Sequence, residues 1–312
     1  MTRKPRTDTQ LNLSAGLLSV TVALVLVLAK IWAFSATGAL SIAATLADSA
    51  LDLMMSLGGL AAIAYAAKPA DEDHAFGHTS AEDLAALGQS VFILISAIAI
   101  ATAAVFRLMA DDPPALASEG IGIAVIAFSI LVTAALVLWQ RHVARTTGSK
   151  VVAADSLHYL GDLIPNAGAL LALWASAQFG LMQIDSIVAL AAAGIMVIGA
   201  LRIGKGAWDA LMDRRADPEV IAGVAAIARG FPGVHGFHDL KTRVAGSQIF
   251  INLHVELDGS QTLDQAHAIG AALRRAIIAQ YPRADVMIHK DPVGVQPHPE
   301  DHRHDHTHEP RR

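Results

Sequence analysis

The chain has 312 residues, of which 54% are hydrophobic and only 16% charged, against roughly 25% charged in a typical globular protein. It contains no cysteine, which excludes disulfides, thiolate metal sites and thiol catalysis. A net charge of −5 with no basic stripe argues against nucleic acid as a partner.

The apolar residues come in blocks, and six membrane spans are predicted. The first, Leu11–Phe34, is interrupted by Lys30, and the second, Gly38–Ala67, by Asp48 and Asp52. Leu84–Phe106 and Ile121–Trp139 carry no charge, and each is long enough to cross about 30 Å of hydrocarbon at about 1.5 Å per residue. The fifth, Val151–Phe179, is broken by Asp155, His158 and Asp162, and the sixth, Ile184–Leu201, by Asp185 near its start. A cleaved signal peptide is not expected, because the first run is too long and no small-residue cleavage motif follows it. Lys and Arg cluster before the first span, between the second and third, between the fourth and fifth, and after the sixth. That bias puts both termini in the cytoplasm.

After Met212 the texture changes. Asp217–Arg229 reads as a helix, with Asp217 as a candidate N-cap and Pro218 in its first turn. His238–Ala245 and Gln248–Leu257 read as strands around the two-residue turn Gly246-Ser247. Thr262–Tyr281 reads as a helix whose Thr262 and Gln265 have capping-box spacing, and Ala284–Asp291 as a third strand. The predicted order is αββαβ, a small α+β domain. One apolar sheet face would need covering, and a second copy of the chain could do it. Beyond Pro292 the chain is rich in Pro, His and acid, which predicts disorder.

Asp48 and Asp52 are four residues apart on one span, as are His158 and Asp162 on another, so each pair shares a helical face. An ionised Asp at mid-membrane costs roughly 2.5–3.5 kcal/mol, and neither span carries a Lys or Arg placed to offset it. A divalent cation would do so. Three carboxylates and one imidazole suit tetrahedral Zn²⁺ and tolerate Cd²⁺, Fe²⁺ or Co²⁺. Hydrogen bonding within the bundle is the alternative for any one of these residues; two such pairs on separate spans favour the metal. Asp155, three residues before His158 on roughly the same face, is either an outer partner of the ligands or the cytoplasmic end of its helix, and the second reading is preferred. In the loop after the second span, Asp71, His74 and His78 have ligand spacing, though a solvated acidic loop would look the same. His238, His254, His267 and His289 with Asp291 are scattered through the soluble part, where each alone reads as a surface or hydrogen-bonded residue. His302, His304, His306 and His308 alternate in the tail, a pattern that binds metal loosely or is simply solvated.

Six spans with Asp48-Ser49-Ala50-Leu51-Asp52 on the second and His158-Tyr159-Leu160-Gly161-Asp162 on the fifth, followed by an αββαβ domain, resemble the cation diffusion facilitator family. The loop Asp71–His78, Gly236–Leu240 and His289-Lys290-Asp291-Pro292 are similar to its bacterial zinc and ferrous-iron efflux branch. The resemblance covers about Leu11 to Pro292. It implies a polytopic α-helical membrane protein with six transmembrane helices and a C-terminal α+β cytoplasmic domain, working as a homodimeric antiporter in the cell's inner membrane.

Residues 1–10 would be a cytoplasmic segment, 11–211 the transport domain, 212–292 a cytoplasmic metal-binding and dimerisation domain, and 293–312 a disordered His-rich tail. The transport site would comprise Asp48, Asp52, His158 and Asp162, and a loop site Asp71, His74 and His78. A two-metal cytoplasmic site would comprise His238, His254, His267, His289 and a bridging Asp291. Ser80 stands where some members carry a basic residue that pairs across the dimer, and Lys290 adds a positive charge between two expected ligands. The expected activity is export of divalent cations, Zn²⁺ first, in exchange for protons, with His158 as proton carrier and Zn²⁺ also regulatory. No organic cofactor and no enzymatic activity are expected. The competing reading is a membrane-anchored metal sensor without transport, and an intramembrane metalloenzyme is disfavoured because no His-Glu-x-x-His motif is present.

Overall fold

The computed structural model describes residues 7–37, 40–109, 120–179 and 184–294. The His-rich tail therefore lies outside the described residues, and Asp48 is described only as backbone within its helix. The chain divides into two compact units, Met1–Trp208 and Asp209–Arg312.

The first unit is a bundle of six long helices: α1 (Asp8–Thr37), α2 (Leu40–Ala66), α3 (Ser80–Met109), α4 (Gly120–Thr147), α5 (Lys150–Phe179) and α6 (Ile184–Leu211). Among the described residues, α1, α2, α3, α4 and α6 each hold a stretch long and apolar enough to cross a membrane. Over its described residues α5 is diluted by Asp155, His158 and Asp162, the groups that make it chemically interesting. Several helices outrun their apolar stretch by a turn or two; α4 continues from Trp139 to Thr147 through Arg141, His142 and Arg145. Hydrophobicity marks the hydrocarbon, whereas backbone hydrogen bonding continues into the interface.

α1 packs on α2 and α4, α5 packs on α4 and α3, and α2 and α5 meet directly. That last contact lets two separate spans contribute to one site. α5 and α6 approach through small residues: a Cβ on Gly161 would lie 2.5 Å from Met196 Sδ, and one on Gly199 would lie 2.6 Å from Leu157. Close approach through small residues is the usual packing solution where water supplies no hydrophobic drive. At one end of the bundle Lys150 Nζ on α5 donates to the buried Asp83 of α3 at 2.6 Å, tying the two helices together.

The second unit contains α7 (Pro218–Arg229), β1 (Gly236–Ala245), β2 (Gln248–Leu257), α8 (Leu263–Gln280) and β3 (Ala284–Pro292). The sheet order is β1-β2-β3, with β1 antiparallel and β3 parallel to β2. Asp217 occupies the N-cap of α7 without a side-chain capping bond, whereas the Thr262–Gln265 capping box of α8 is complete. Ile251, Leu253, Val255 and Leu257 of β2 pack with Val224 and Ala228 of α7 and with Leu273 and Ile277 of α8. The chain's own helices thus cover the apolar face. The opposite face carries Asn252, His254 and Glu256.

Candidate metal centres

In the membrane unit, the α2–α5 contact brings His158 Nε2 to 3.0 Å from Asp52 Oδ1. Donor atoms of Asp52, His158 and Asp162 all lie within 4.8 Å of one another. His158 is only 6% exposed, lies edge-on to Phe92, and its Nδ1 is buried without a hydrogen-bond partner among the described residues. Two carboxylates and an imidazole at this spacing form a tight trio for a divalent cation. Asp48 lies one helical turn from Asp52. On the same stretch of α2, Lys30 of α1 donates its Nζ to Ser49 Oγ at 2.6 Å.

In the α2–α3 loop, Asp71 Oδ1 accepts the backbone N–H of His74 at 2.8 Å and that of Asp73 at 3.2 Å, an Asx-type turn. The His74 N–H is the main reason the Asp71 carboxyl stays below its ordinary value of 3.8. His78, itself buried, points Nε2 at Asp71 Oδ2 from 3.3 Å, and His74 Nδ1 lies 3.3 Å from Oδ1. The three side chains expected here are together.

In the second unit the strand register does the assembly. His238 on β1 is opposite His254 on β2, which is opposite His289 on β3, so three imidazoles form a row across the sheet. Asp291, two residues past His289 on the same face, sits among them. Its Oδ2 lies 2.9 Å from His254 Nδ1 and 3.6 Å from His238 Nε2, and its Oδ1 lies 3.2 Å from His289 Nε2. One carboxylate with its two oxygens turned to different imidazoles has the geometry of a bridging ligand. His267 is exposed on α8, which packs on the other face of the sheet, so the row is assembled without it.

Residues 16–212 match the family model for the cation efflux transmembrane domain, and residues 216–293 that for the cytoplasmic domain of cation efflux proteins. The chain belongs to the cation diffusion facilitator family. The cation-efflux pump FieF of Serratia proteamaculans is 40% identical over 284 residues, spanning 91% of this chain and 94% of that one. FieF of Yersinia enterocolitica is also 40% identical over 284 residues, with the same coverage. Among solved structures, the metal-bound C-terminal domain of the CzcD transporter from Thermotoga maritima is 28% identical, covers 25% of this chain and 93% of its own, and gives a TM-score of 0.25. Family membership makes the protein a multi-pass cation efflux transporter rather than an enzyme, and sets aside the sensor without transport.

The family's Lys290 departure does not intrude on the row. Lys290 shares the helix-covered face with Val286 and Ile288, and its Cε runs 2.5 Å from where a Cβ on Gly270 of α8 would be. Two further residues have surroundings that the sequence left open. Asp239, at φ 49°, lies in a β-bulge between His238 and Lys241; its buried Oδ2 accepts from Lys241 Nζ at 2.8 Å and lies 3.9 Å from His254 Nε2. The extra residue lets His238 and Lys241, at odd spacing, both pair in register with β2. Asp155, read as a helix end, is instead buried between helices, with partners from α1 and α4. No local pattern around Asp155 signals them.

Proposed function

We propose that the protein exports divalent transition-metal cations, Zn²⁺ foremost, from the cytoplasm in exchange for protons. The same donor set accepts Fe²⁺, Cd²⁺ and Co²⁺. The observation that carries this reading is the meeting of half-buried Asp52 and Asp162 with buried His158 from two different helices. Asp48 completes a set of four ligands for the cargo. Those groups must be deprotonated to hold it, so cation and protons compete for one site. Facing the cytoplasm, the site loads metal; facing a more acidic exterior, protonation expels it. Inward proton flow then drives export, aided by about 2.3 kcal/mol per charge per 100 mV of membrane potential.

The Lys and Arg bias supports cytoplasmic termini in the inner membrane. In this reading the transport domain spans 11–211 and the cytoplasmic domain 212–292, between the short segment 1–10 and the tail 293–312. The loop trio Asp71, His74 and His78 is a second cation site. The row His238, His254 and His289 with bridging Asp291 fits a regulatory Zn²⁺ site, which His267 enters only if a partner protomer supplies it. Ions held there would tighten a homodimer and bias the membrane half between its two states.

The deciding experiment is zinc flux into proteoliposomes under an imposed pH gradient. Asp52→Ala is expected to abolish flux while leaving the folded protein intact by size-exclusion chromatography. Retained proton-driven zinc flux would defeat the assignment.

A further inference from the structure

The membrane unit buries, beside the transport site, a carboxyl that the site does not use. Asp155 lies three residues before His158 on α5 and is 6% exposed. Its Oδ2 accepts from Ser19 Oγ of α1 and from Gln140 Nε2 of α4, both at 2.6 Å. Since Ser19 gives its proton to Asp155, the 2.8 Å contact between Ser19 and Ser56 of α2 is donated by Ser56. By the same logic the 2.9 Å contact between Ser56 and Tyr159 is donated by Tyr159. The chain Tyr159 to Ser56 to Ser19 to Asp155 therefore points one way and ends on a carboxylate. Ser56 lies one turn from Asp52, and Asp155 one turn from His158. The chain runs beside the metal trio, through the same two helices and Ser19 of α1.

With Oδ2 already engaged by two donors, only Oδ1 is open to a proton. Oδ1 is buried and has no hydrogen-bond partner among the described residues, and neither has Gln140 Oε1. Beside them lies a cavity of about 10 Å³ whose lining includes Asp155, Gln140, Ser56, Val151, Val152 and Ile63. That is the space of about one water, with polar groups on one wall to hold it. Among the described residues, the titratable groups facing Asp155 are His158 and Tyr159 on its own helix and Asp52 on α2. α1 and α4 present Ser19 and Gln140, which do not titrate. An ionised carboxylate in this setting is costly, and a divalent cation one turn away would favour its charged form.

We propose that Asp155 is a proton-binding site separate from the metal ligands. Its Oδ1 holds a proton in the metal-free carrier. When the cation binds among Asp52, His158 and Asp162, the O–H bond breaks and the proton passes to the cavity water, leaving the carboxylate held by Ser19 and Gln140. This inference rests on the proton-exchange reading above and assigns one of the exchanged protons to a group that never touches the metal.

The test counts protons released per Zn²⁺ bound by the full-length protein in weakly buffered detergent, using a pH-indicator dye alongside calorimetric titration. The loop and sheet sites contribute equally to every variant, so the difference between proteins isolates Asp155. Asp155→Asn is expected to release about one proton fewer per ion at the transport site, with zinc affinity within about threefold of wild type. Asp155→Glu should restore the count. If Asp155→Asn does not yield folded protein, Asp155→Ser, beside a water-sized cavity, carries the same expectation. An unchanged count overturns the proposal, and so does a loss of zinc binding in the folded variant, which would make Asp155 a ligand or a structural post. A wild-type protein that releases no protons on binding zinc would defeat the exchange reading itself, and this proposal with it.

Discussion

His158 supplies the one nitrogen in the intramembrane trio, so it is the residue most able to set which cation is accepted. Replacing it by Asp converts the site to oxygen donors alone, and oxygen ligation suits harder ions such as Mn²⁺. We expect His158→Asp to narrow the preference for Zn²⁺ over Mn²⁺ by roughly tenfold or more, read by competition flux in proteoliposomes. An unaltered ratio would remove His158 from the ligand set. Asp71 allows a pH prediction with a definite sign. Its carboxyl is held below the ordinary value of 3.8, chiefly by the His74 N–H. Its contribution to ordering the loop is therefore fully present above that ordinary value and is lost only as pH falls through the lowered one. Following the His74 amide by NMR in acid should show the loop's transition below the range of a free aspartate, about 3.9, and Asp71→Asn should abolish that transition. The paired spacings of Asp52 and of His158 with Asp162 were legible because a helix turns an i,i+4 interval into a shared face. Asp155 was not legible: its donors come from Ser19 and Gln140, and only the assembled bundle brings them to it.

Within the soluble unit the elements carry the argument. Alternation along β2 announced its two faces, and the turn at Gly246-Ser247 announced the hairpin, so the αββαβ order could be read directly. What alternation could not reveal was the bulge. His238 and Lys241 stand at odd spacing, and only the extra residue at Asp239, in a conformation Asp tolerates better than most residues, keeps both in register with β2. Nor could it give the sheet order, which decides that three imidazoles from three strands fall in one row. Asp291 is the member all three imidazoles approach. Asp291→Ala is expected to weaken zinc binding at the row by at least about 100-fold, since even outer contacts to metal ligands cost 10–100-fold. Calorimetry on the full-length protein should show this site lost while the loop and transport sites remain. A full set of binding events in the variant would contradict the bridging role.

For the whole molecule, the contrast between apolar blocks and a mixed, strand-bearing segment was enough to separate membrane bundle from soluble domain. It could not say which spans touch, and the α2–α5 contact that joins Asp52 to His158 and Asp162 is a tertiary fact. The three clusters also differ in access. In the loop Asp71 and His74 are exposed and in the sheet row His289 is exposed with the rest half-buried, whereas His158 is enclosed between half-buried Asp52 and Asp162. A strong chelator added to the zinc-loaded protein should strip the loop and the row first. The transport-site ion should follow at least about tenfold more slowly, because its release waits on opening of the bundle. Stopped-flow with a fluorescent chelator would resolve the phases, and a single fast phase accounting for all bound zinc would contradict this order.

The position of Lys290 has a consequence for how the third strand is held. His289 and Asp291 on either side of it face the imidazole row while Lys290 turns to the helices with Val286 and Ile288, so sliding β3 by a single residue would thrust an ammonium among the imidazoles and withdraw the carboxylate from them. An ion held at the proposed row would thereby favour the observed alignment of β3, because a pairing shifted by one residue sets an ammonium where the carboxylate should be.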